Sequence, residues 1–162
     1  MIDELILNAF KEDIGEGDHS SLACIGSKEV GSARLEVREA GVIAGIDVAR
    51  RIFELFDSSL KTEVFLKDGA SVNPGDIAFV VTGSARSILT TERLVLNIMQ
   101  RMSGIATKTN RMVKMIDHTN AILLDTRKTT PNFRLLEKQA VAIGGGGNHR
   151  FGLYDLSLIH IS

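Results

Sequence analysis

The sequence predicts an α+β sandwich over its N-terminal half, followed by one β-α unit of a parallel α/β structure. Between residues 1 and 85, amphipathic helices alternate with short strands and with turns that contain Gly and Pro, an order typical of α+β domains. The run Ala-Ile-Leu-Leu at 121–124 has no polar side, as expected of a parallel strand buried on both faces. A helical pattern follows that strand and completes the unit.

The first element is an amphipathic helix with Asp3 placed as its N-cap. Its apolar residues recur at helical spacing, namely Ile2, Leu5, Ile6, Ala9 and Phe10. Gly15 ends the helix. The acidic residues on either side of Gly15, namely Asp13, Glu16 and Asp18, lack the ligand spacing of a calcium loop, so we interpret them as a solvated turn.

Strands dominate the next segment. Apolar and charged residues alternate at 33–37, which predicts a half-exposed antiparallel strand. Further strands are predicted at 42–45, 62–66 and 77–82, and a helix at 48–56. Residues 68–77 also resemble half of a lipoyl or biotinyl carrier module, but no modifiable lysine matches. A carrier-like binding module is therefore the alternative from another functional class.

From Ser87 the apolar period changes to that of a long buried helix. Ile88, Val95 and Met102 recur at a spacing of seven, with Ser87 as the predicted cap. The pair Ser103-Gly104 is expected to interrupt this helix, and a second helix follows to residue 116.

Composition restricts the possible functions. The chain has 162 residues, 44% of them apolar, and no apolar run approaches a membrane span. Its single cysteine, Cys24, excludes an internal disulfide, so a reducing cytoplasm is the expected compartment. Residues 1–80 carry eight Lys/Arg against fifteen Asp/Glu, and residues 81–162 carry eleven against five. With no Trp and one Tyr, the basic half suits an anionic substrate better than nucleic acid.

The candidate site lies at the ends of the β-α unit. Arg127 and Lys128 follow the 121–124 strand, and Pro131 suits the first turn of a helix. Four glycines at 144–147 end that helix, and His149 and Arg150 come next. Cations that converge at the carboxyl edge of a parallel strand repel one another unless an anion lies between them. The pattern predicts a pocket for a small, multiply anionic molecule.

Two motifs carry a family resemblance: Thr-Arg-Lys-Thr-Thr-Pro at 126–131 and Gly-Gly-Gly-Asn-His-Arg-Phe-Gly-Leu-Tyr-Asp at 145–155. They resemble the quinolinate phosphoribosyltransferase family. Further motifs fall in the family's order at 12–18, 41–45, 92–97 and 103–107. The resemblance implies a sandwich plus linking helix at 1–103 and the start of an α/β barrel at 104–155. A protein associated with molybdenum transport, similar to the pyrophosphorylases, is a close alternative.

The resemblance also implies the chemistry. Family members join quinolinate to phosphoribosyl pyrophosphate and release CO₂ and pyrophosphate, with Mg²⁺ bound through the phosphoribosyl donor. Arg127 and Arg150 would clamp the carboxylates of quinolinate, Lys128 and His149 would complete a positive cage, and Thr126 would add a polar contact. Arg93 would enter the site from a neighbouring subunit, which implies a homodimer or a larger oligomer. No residue is assigned a proton-transfer role.

The resemblance stops after Asp155. Residues 156–162, Leu-Ser-Leu-Ile-His-Ile-Ser, are those that a common transposase adaptor end encodes in frame. We therefore expect this tail to be non-native, and we expect the 162-residue chain by itself to be inactive and poorly soluble.

Overall fold

The computed structural model describes residues 1–155 as a mixed α/β protein with two small sheets. The predictions for residues 156–162 lie outside the described residues. The helices are α1 (Ile2–Ile14), α2 (His19–Cys24), α3 (Ile46–Phe56), α4 (Ala85–Ile116) and α5 (Arg134–Ile143). The strands are β1 (Val30–Glu36), β2 (Gly41–Val42), β3 (Lys61–Val64), β4 (Ser71–Val72) and β5 (Ile77–Ser84).

Both sheets are antiparallel and lie in the first half of the chain. One has the order β1-β5-β3, and the other pairs β2 with β4. Helix α3 packs on the larger sheet, where the rings of Phe53 and Phe79 meet edge to face at 5.9 Å. Burial of such apolar side chains supplies most of the stability of a domain of this size. The predicted strands at 33–37, 62–66 and 77–82 are confirmed within a few residues. The strand predicted at 42–45 is shorter, because Gly45 is left-handed (φ 100°) and starts α3.

The N-terminal helix is confirmed, but its predicted cap is wrong. Met1 occupies the N-cap position without a side-chain hydrogen bond, and Asp3 lies in the first turn. There the Asp3 carboxylate accepts from Arg51 of α3, with Nη2 at 2.7 Å. Asp18, predicted to lie in a solvated turn, caps α2 by accepting from the backbone N–H of Ser21 at 3.0 Å. Its second oxygen accepts from the Thr90 hydroxyl of α4.

Helix α4 is one unbroken helix of 32 residues. Ser84, not Ser87, is its cap. The predicted interruption at Ser103-Gly104 does not occur, since the Ser103 hydroxyl is bonded to the main chain of Ala44 beside β2. A glycine inside a helix costs only about 1 kcal/mol, which packing on both sides outweighs. The predicted domain boundary between residues 103 and 104 therefore lies within a continuous helix.

The β-α unit differs from its prediction at two points. Residues 121–124 form a single parallel bridge, between Leu124 and Gly147, and Ile122 is 76% exposed. Burial on both faces is therefore wrong for the described residues, because the faces of a parallel strand are covered by helices packed on its sheet, and a single bridge gives no sheet for helices to cover. Pro131 lies in a turn, and α5 begins three residues later at Arg134. The apolar face of α5 is confirmed, with Leu136 and Ala140 fully buried.

Gly144, the C-cap of α5, lies tightly against α4. A Cβ there would lie 2.5 Å from the carbonyl oxygen of Ala106 and 2.8 Å from the Cβ of Thr109. We expect Gly144→Ala to destabilise the chain by about 2–3 kcal/mol, measured by urea unfolding, because backbone atoms must move. Gly104→Ala is the control: it meets open space and should stabilise α4 by about 0.5–1 kcal/mol. Equal effects of the two substitutions would contradict this packing.

None of the helices in residues 1–155 has the length and apolar content needed to cross a membrane.

Candidate functional site

The end of α5 brings two sequence-distant segments side by side. The glycines stop the helix as predicted: Gly144 caps it, and Gly145 takes a left-handed conformation (φ 93°). Gly147 then runs beside the 121–124 segment, donating to the Leu123 carbonyl at 2.8 Å and accepting from the Asp125 N–H at 3.1 Å. This pairing places residues 148–150 beside the loop that holds Thr126, Arg127 and Lys128. Five of the six predicted site residues therefore lie on two adjoining segments.

Asp125 joins the two segments. Its Oδ1 accepts from the backbone N–H of His149 at 2.8 Å and from the ammonium of Lys138 at 2.5 Å. When the amide of Asn148 is oriented to face its acceptors, Nδ2 lies 2.8 Å from Asp125 Oδ2 and 2.9 Å from the Lys138 carbonyl oxygen. A carboxylate with three donors is held in one orientation, so the residues on each side of it are held too.

Lys138 is the main residue that the sequence analysis missed. Its side chain is only 3% exposed, and besides Asp125 it donates to the carbonyl oxygen of His149 at 3.0 Å. Lysine is almost never buried unless its charge is paired. The available signal was its position between Leu136 and Ala140, on the apolar face of α5.

Arg134, at the start of α5, fastens the loop from its other end. Its Nε donates to the Thr129 hydroxyl at 2.9 Å, and Nη1 donates to the Phe151 carbonyl at 2.9 Å. Its Nη2 also lies 3.3 Å from the Arg127 carbonyl. The guanidinium therefore bridges the two segments through backbone oxygens. Arg134 thus uses a donor on each of its three nitrogens to hold the two segments together.

A second carboxylate, Glu137, ties the same loop to α4. Both of its oxygens accept from Thr130, through the backbone N–H at 3.1 Å and the hydroxyl at 2.9 Å. Arg101 donates to Glu137 Oε1 through Nη2 at 2.6 Å and Nε at 3.0 Å. Burial raises the pKa of the Glu137 carboxyl, but the hydrogen bonds from Arg101 and Thr130 outweigh it, so this pKa lies below the ordinary value.

The lowered pKa of Glu137 predicts an acid-sensitive contribution to stability. A carboxyl with a lowered folded pKa stabilises the protein above its ordinary value of 4.5, and that stabilisation is lost as the pH falls through the folded pKa. We expect Glu137→Gln to lose about 2 kcal/mol at neutral pH. The difference from wild type, measured by urea unfolding, should shrink as the pH falls below the ordinary value of 4.5 and through the lowered folded pKa. A constant difference across that range would contradict the assignment.

Arg127 differs from the basic residues around it. Its Nε is buried and has no hydrogen-bond partner among residues 1–155. Buried polar groups in proteins nearly always have a partner, so an orphaned guanidinium N–H indicates an acceptor from outside the described residues. Lys128 and His149 are exposed beside it. The hydroxyl of Thr126 accepts from the Lys128 N–H at 3.1 Å, which shapes the loop.

Arg93 does not join the other predicted residues. It lies exposed on α4 and makes no hydrogen bond or ion pair within the described part of the chain. Two grooves of about 1030 and 730 Å³ run along α4, but none of the six predicted site residues lines either. The described residues place the candidate site at the rim of the β-α unit and not in these grooves.

Comparison with protein families assigns both halves of the chain. A family model described as the N-terminal domain of quinolinate phosphoribosyl transferase matches residues 18–103. The corresponding C-terminal domain matches residues 105–161.

Individual relatives agree with this result. The chain is 41% identical over 152 residues to the probable nicotinate-nucleotide pyrophosphorylase (carboxylating) of Bacillus subtilis, covering 94% of this chain and 52% of that protein. It is 49% identical over 158 residues to the chloroplastic enzyme of Oryza sativa, covering 95% and 42%. The crystal structure of NadC from Streptococcus pyogenes superposes with a TM-score of 0.91 at 42% identity, covering 94% and 54%. The chain thus spans about half the length of the curated relatives it matches.

Proposed function

Because this chain belongs to the quinolinate phosphoribosyltransferase family, we propose that the whole protein transfers a phosphoribosyl group from phosphoribosyl pyrophosphate to quinolinate. Decarboxylation then gives nicotinate mononucleotide, pyrophosphate and CO₂. We further infer that residues 104–155 contribute the first unit of an α/β barrel. The parallel bridge between Leu124 and Gly147 supports this inference, since it is the contact from which a parallel sheet extends. A cytoplasmic location stays a prediction.

The buried, unpartnered Nε of Arg127 is the observation that carries the proposal. A guanidinium offers paired N–H groups that match the two oxygens of a carboxylate, and quinolinate has two adjacent carboxylates. The neighbouring cations Arg101, Arg134 and Lys138 are engaged by acceptors of the chain itself. Arg127 is therefore better suited than these three to receive an anion from outside.

The other proposed contacts have positioning and electrostatic roles. Arg150 would hold the second carboxylate, and Lys128 and His149 would add positive charge beside the ring. Thr126 would contribute through its hydroxyl, which can still donate while it accepts from Lys128. Catalysis of this kind comes from holding two anionic reactants in reacting geometry and stabilising the charge that develops.

The described residues do not by themselves form a magnesium site. Residues 1–155 contain no cluster of three His, Cys, Asp or Glu side chains that could hold a metal. Asp125, the carboxylate at the centre of the site, is already bonded to three donors. Mg²⁺ bound through the oxygens of phosphoribosyl pyrophosphate stays a prediction.

The substrate can be tested by calorimetric titration of the whole protein with quinolinate and with nicotinate. Only quinolinate has the second carboxylate, so we expect it to bind about 100-fold more tightly. Equal affinities would contradict the quinolinate assignment and favour the alternative associated with molybdenum transport. A covalent mass increase on a lysine would instead indicate a carrier module. The comparisons give no support to either alternative.

We also infer that Arg93 serves the site of a second copy of the chain. Its exposure on α4 and its lack of partners in residues 1–155 support this role. Mixing Arg93→Ala and Arg127→Ala chains tests it, because a symmetric dimer built from one of each has one site with both arginines intact. Recovery of quinolinate binding in the mixture is the expected result. No recovery, although sedimentation shows mixed dimers, would contradict the role.

A further inference from the structure

The ion pair between Lys138 and Asp125 is unusually well buried. The two side chains are 3% and 6% exposed, whereas Arg101 in the neighbouring pair with Glu137 is 55% exposed. Taking two charges out of water costs several kcal/mol per ion, and apolar side chains of similar volume often replace such a pair without loss of stability. Stability alone therefore does not explain why charged residues occupy these two positions.

The pair holds both main-chain groups of one residue. Asp125 accepts from the N–H of His149 at 2.8 Å, and Lys138 donates to its carbonyl oxygen at 3.0 Å. One carboxylate and one ammonium thus fix the peptide groups on either side of His149. Asn148, the preceding residue, is bonded to Asp125 as well. No apolar pair could make these contacts.

The pair holds residues that adjoin the candidate site. Asp125 directly precedes the loop of Thr126, Arg127 and Lys128, and Arg150 directly follows His149. The side chain of His149 is exposed, so fixing it adds nothing to the apolar core. The two charges of the pair also cancel, so the pair adds little to the attraction of an anion. What it determines is the position of one segment relative to the other.

We propose that Lys138 and Asp125 are positioning residues, which hold His149 and Arg150 opposite Arg127 so that the two carboxylates of quinolinate meet their cations together. The inference rests on the function proposed above. Positioning of this kind strengthens substrate binding by removing the cost of ordering the segment when the substrate arrives. The pair itself does not contact the substrate.

The test replaces the pair by an apolar one, Asp125→Val with Lys138→Met. His149 and Asn148 are exposed residues, so water can replace the pair as the partner of the His149 main chain and of the Asn148 side-chain amide. The fold should therefore persist with an unfolding midpoint near that of wild type. Calorimetry is expected to show quinolinate binding weakened about 10-fold or more. NMR order parameters of residues 148–150 should fall from about 0.85 to below about 0.6. The control, Asp3→Asn with Arg51→Met, removes a distant ion pair and should change neither the quinolinate affinity nor the order parameters of residues 148–150.

Unchanged affinity and unchanged order parameters in the apolar variant would overturn the proposal. If wild type itself does not bind quinolinate, the proposed function fails for this chain, while the order parameters still decide whether the pair positions His149. If the apolar variant does not fold, Lys138→Arg decides the question. This substitution keeps the charge but cannot place a compact ammonium between the two acceptors. Weakened binding by folded Lys138→Arg is expected, and wild-type affinity and order would overturn the proposal.

Discussion

Replacing Arg127 by alanine is expected to weaken quinolinate binding by about 100-fold or more while leaving the fold intact. Truncating one partner of a desolvated charge pair in a binding site costs about 2–5 kcal/mol, and about 2.7 kcal/mol corresponds to a factor of 100. The fold should tolerate the change because the buried Nε of Arg127 satisfies no acceptor within residues 1–155. Isothermal titration calorimetry measures the affinity, and urea unfolding measures the stability.

Arg111→Ala is the matched control for this prediction. It removes the same charge from an exposed position of α4, outside the two site segments. A general loss of positive charge would weaken binding equally in the two variants, whereas a specific contact weakens it only in Arg127→Ala. Wild-type affinity in Arg127→Ala would remove this residue from the site, and a large loss of stability would assign it a structural role instead.

Replacing Lys138 alone by methionine is expected to have the largest effect on stability, a loss of about 3–5 kcal/mol. The substitution leaves the Asp125 carboxylate buried without its counter-charge, and removal of one partner of a buried pair costs that much. The loss is a large fraction of the 5–15 kcal/mol that separates folded from unfolded states in typical domains, so urea unfolding should detect it clearly.

The neighbouring Lys128 provides the control for that experiment. It is an exposed lysine in the adjoining loop, and Lys128→Met should change the free energy of unfolding by no more than about 0.5 kcal/mol. Equal, small effects of the two lysine substitutions would mean that the ion pair contributes nothing to stability.

Local patterns predicted most of the elements of this fold. The alternation at 33–37 gave the correct element, and the helical spacing of Leu136 and Ala140 gave both the correct element and the correct buried face. The failures have tertiary causes. Gly104 suggested a helix break, but the packing of α4 on both sides of that point overrides a weak local preference. The apolar run at 121–124 indicated burial, but burial on both faces depends on a sheet covered by helices, and within residues 1–155 this run forms a single bridge.

The sequence indicated the candidate ligand-binding cations of the site but not the buried charged residues that support them. Arg127, Lys128, His149 and Arg150 were identified from residue types near the ends of one β-α unit. The supporting residues Asp125, Lys138 and Glu137 are ordinary charged residues in sequence, and only the structure shows them buried and paired. Their role depends on contacts between residues 7 to 36 positions apart, which no local periodicity reports.

The continuous helix α4 has a consequence for how the protein unfolds. It spans about 48 Å and contacts β2 near its middle and α5 along its C-terminal half. Opening either half of the chain exposes apolar surface of the same rod, so the two family domains share one cooperative unit within the described residues. Backbone amides at the centre of α4 should then exchange with solvent only through global unfolding. The boundary between the two family domains, near residues 103–105, should therefore not separate regions of different hydrogen-exchange protection.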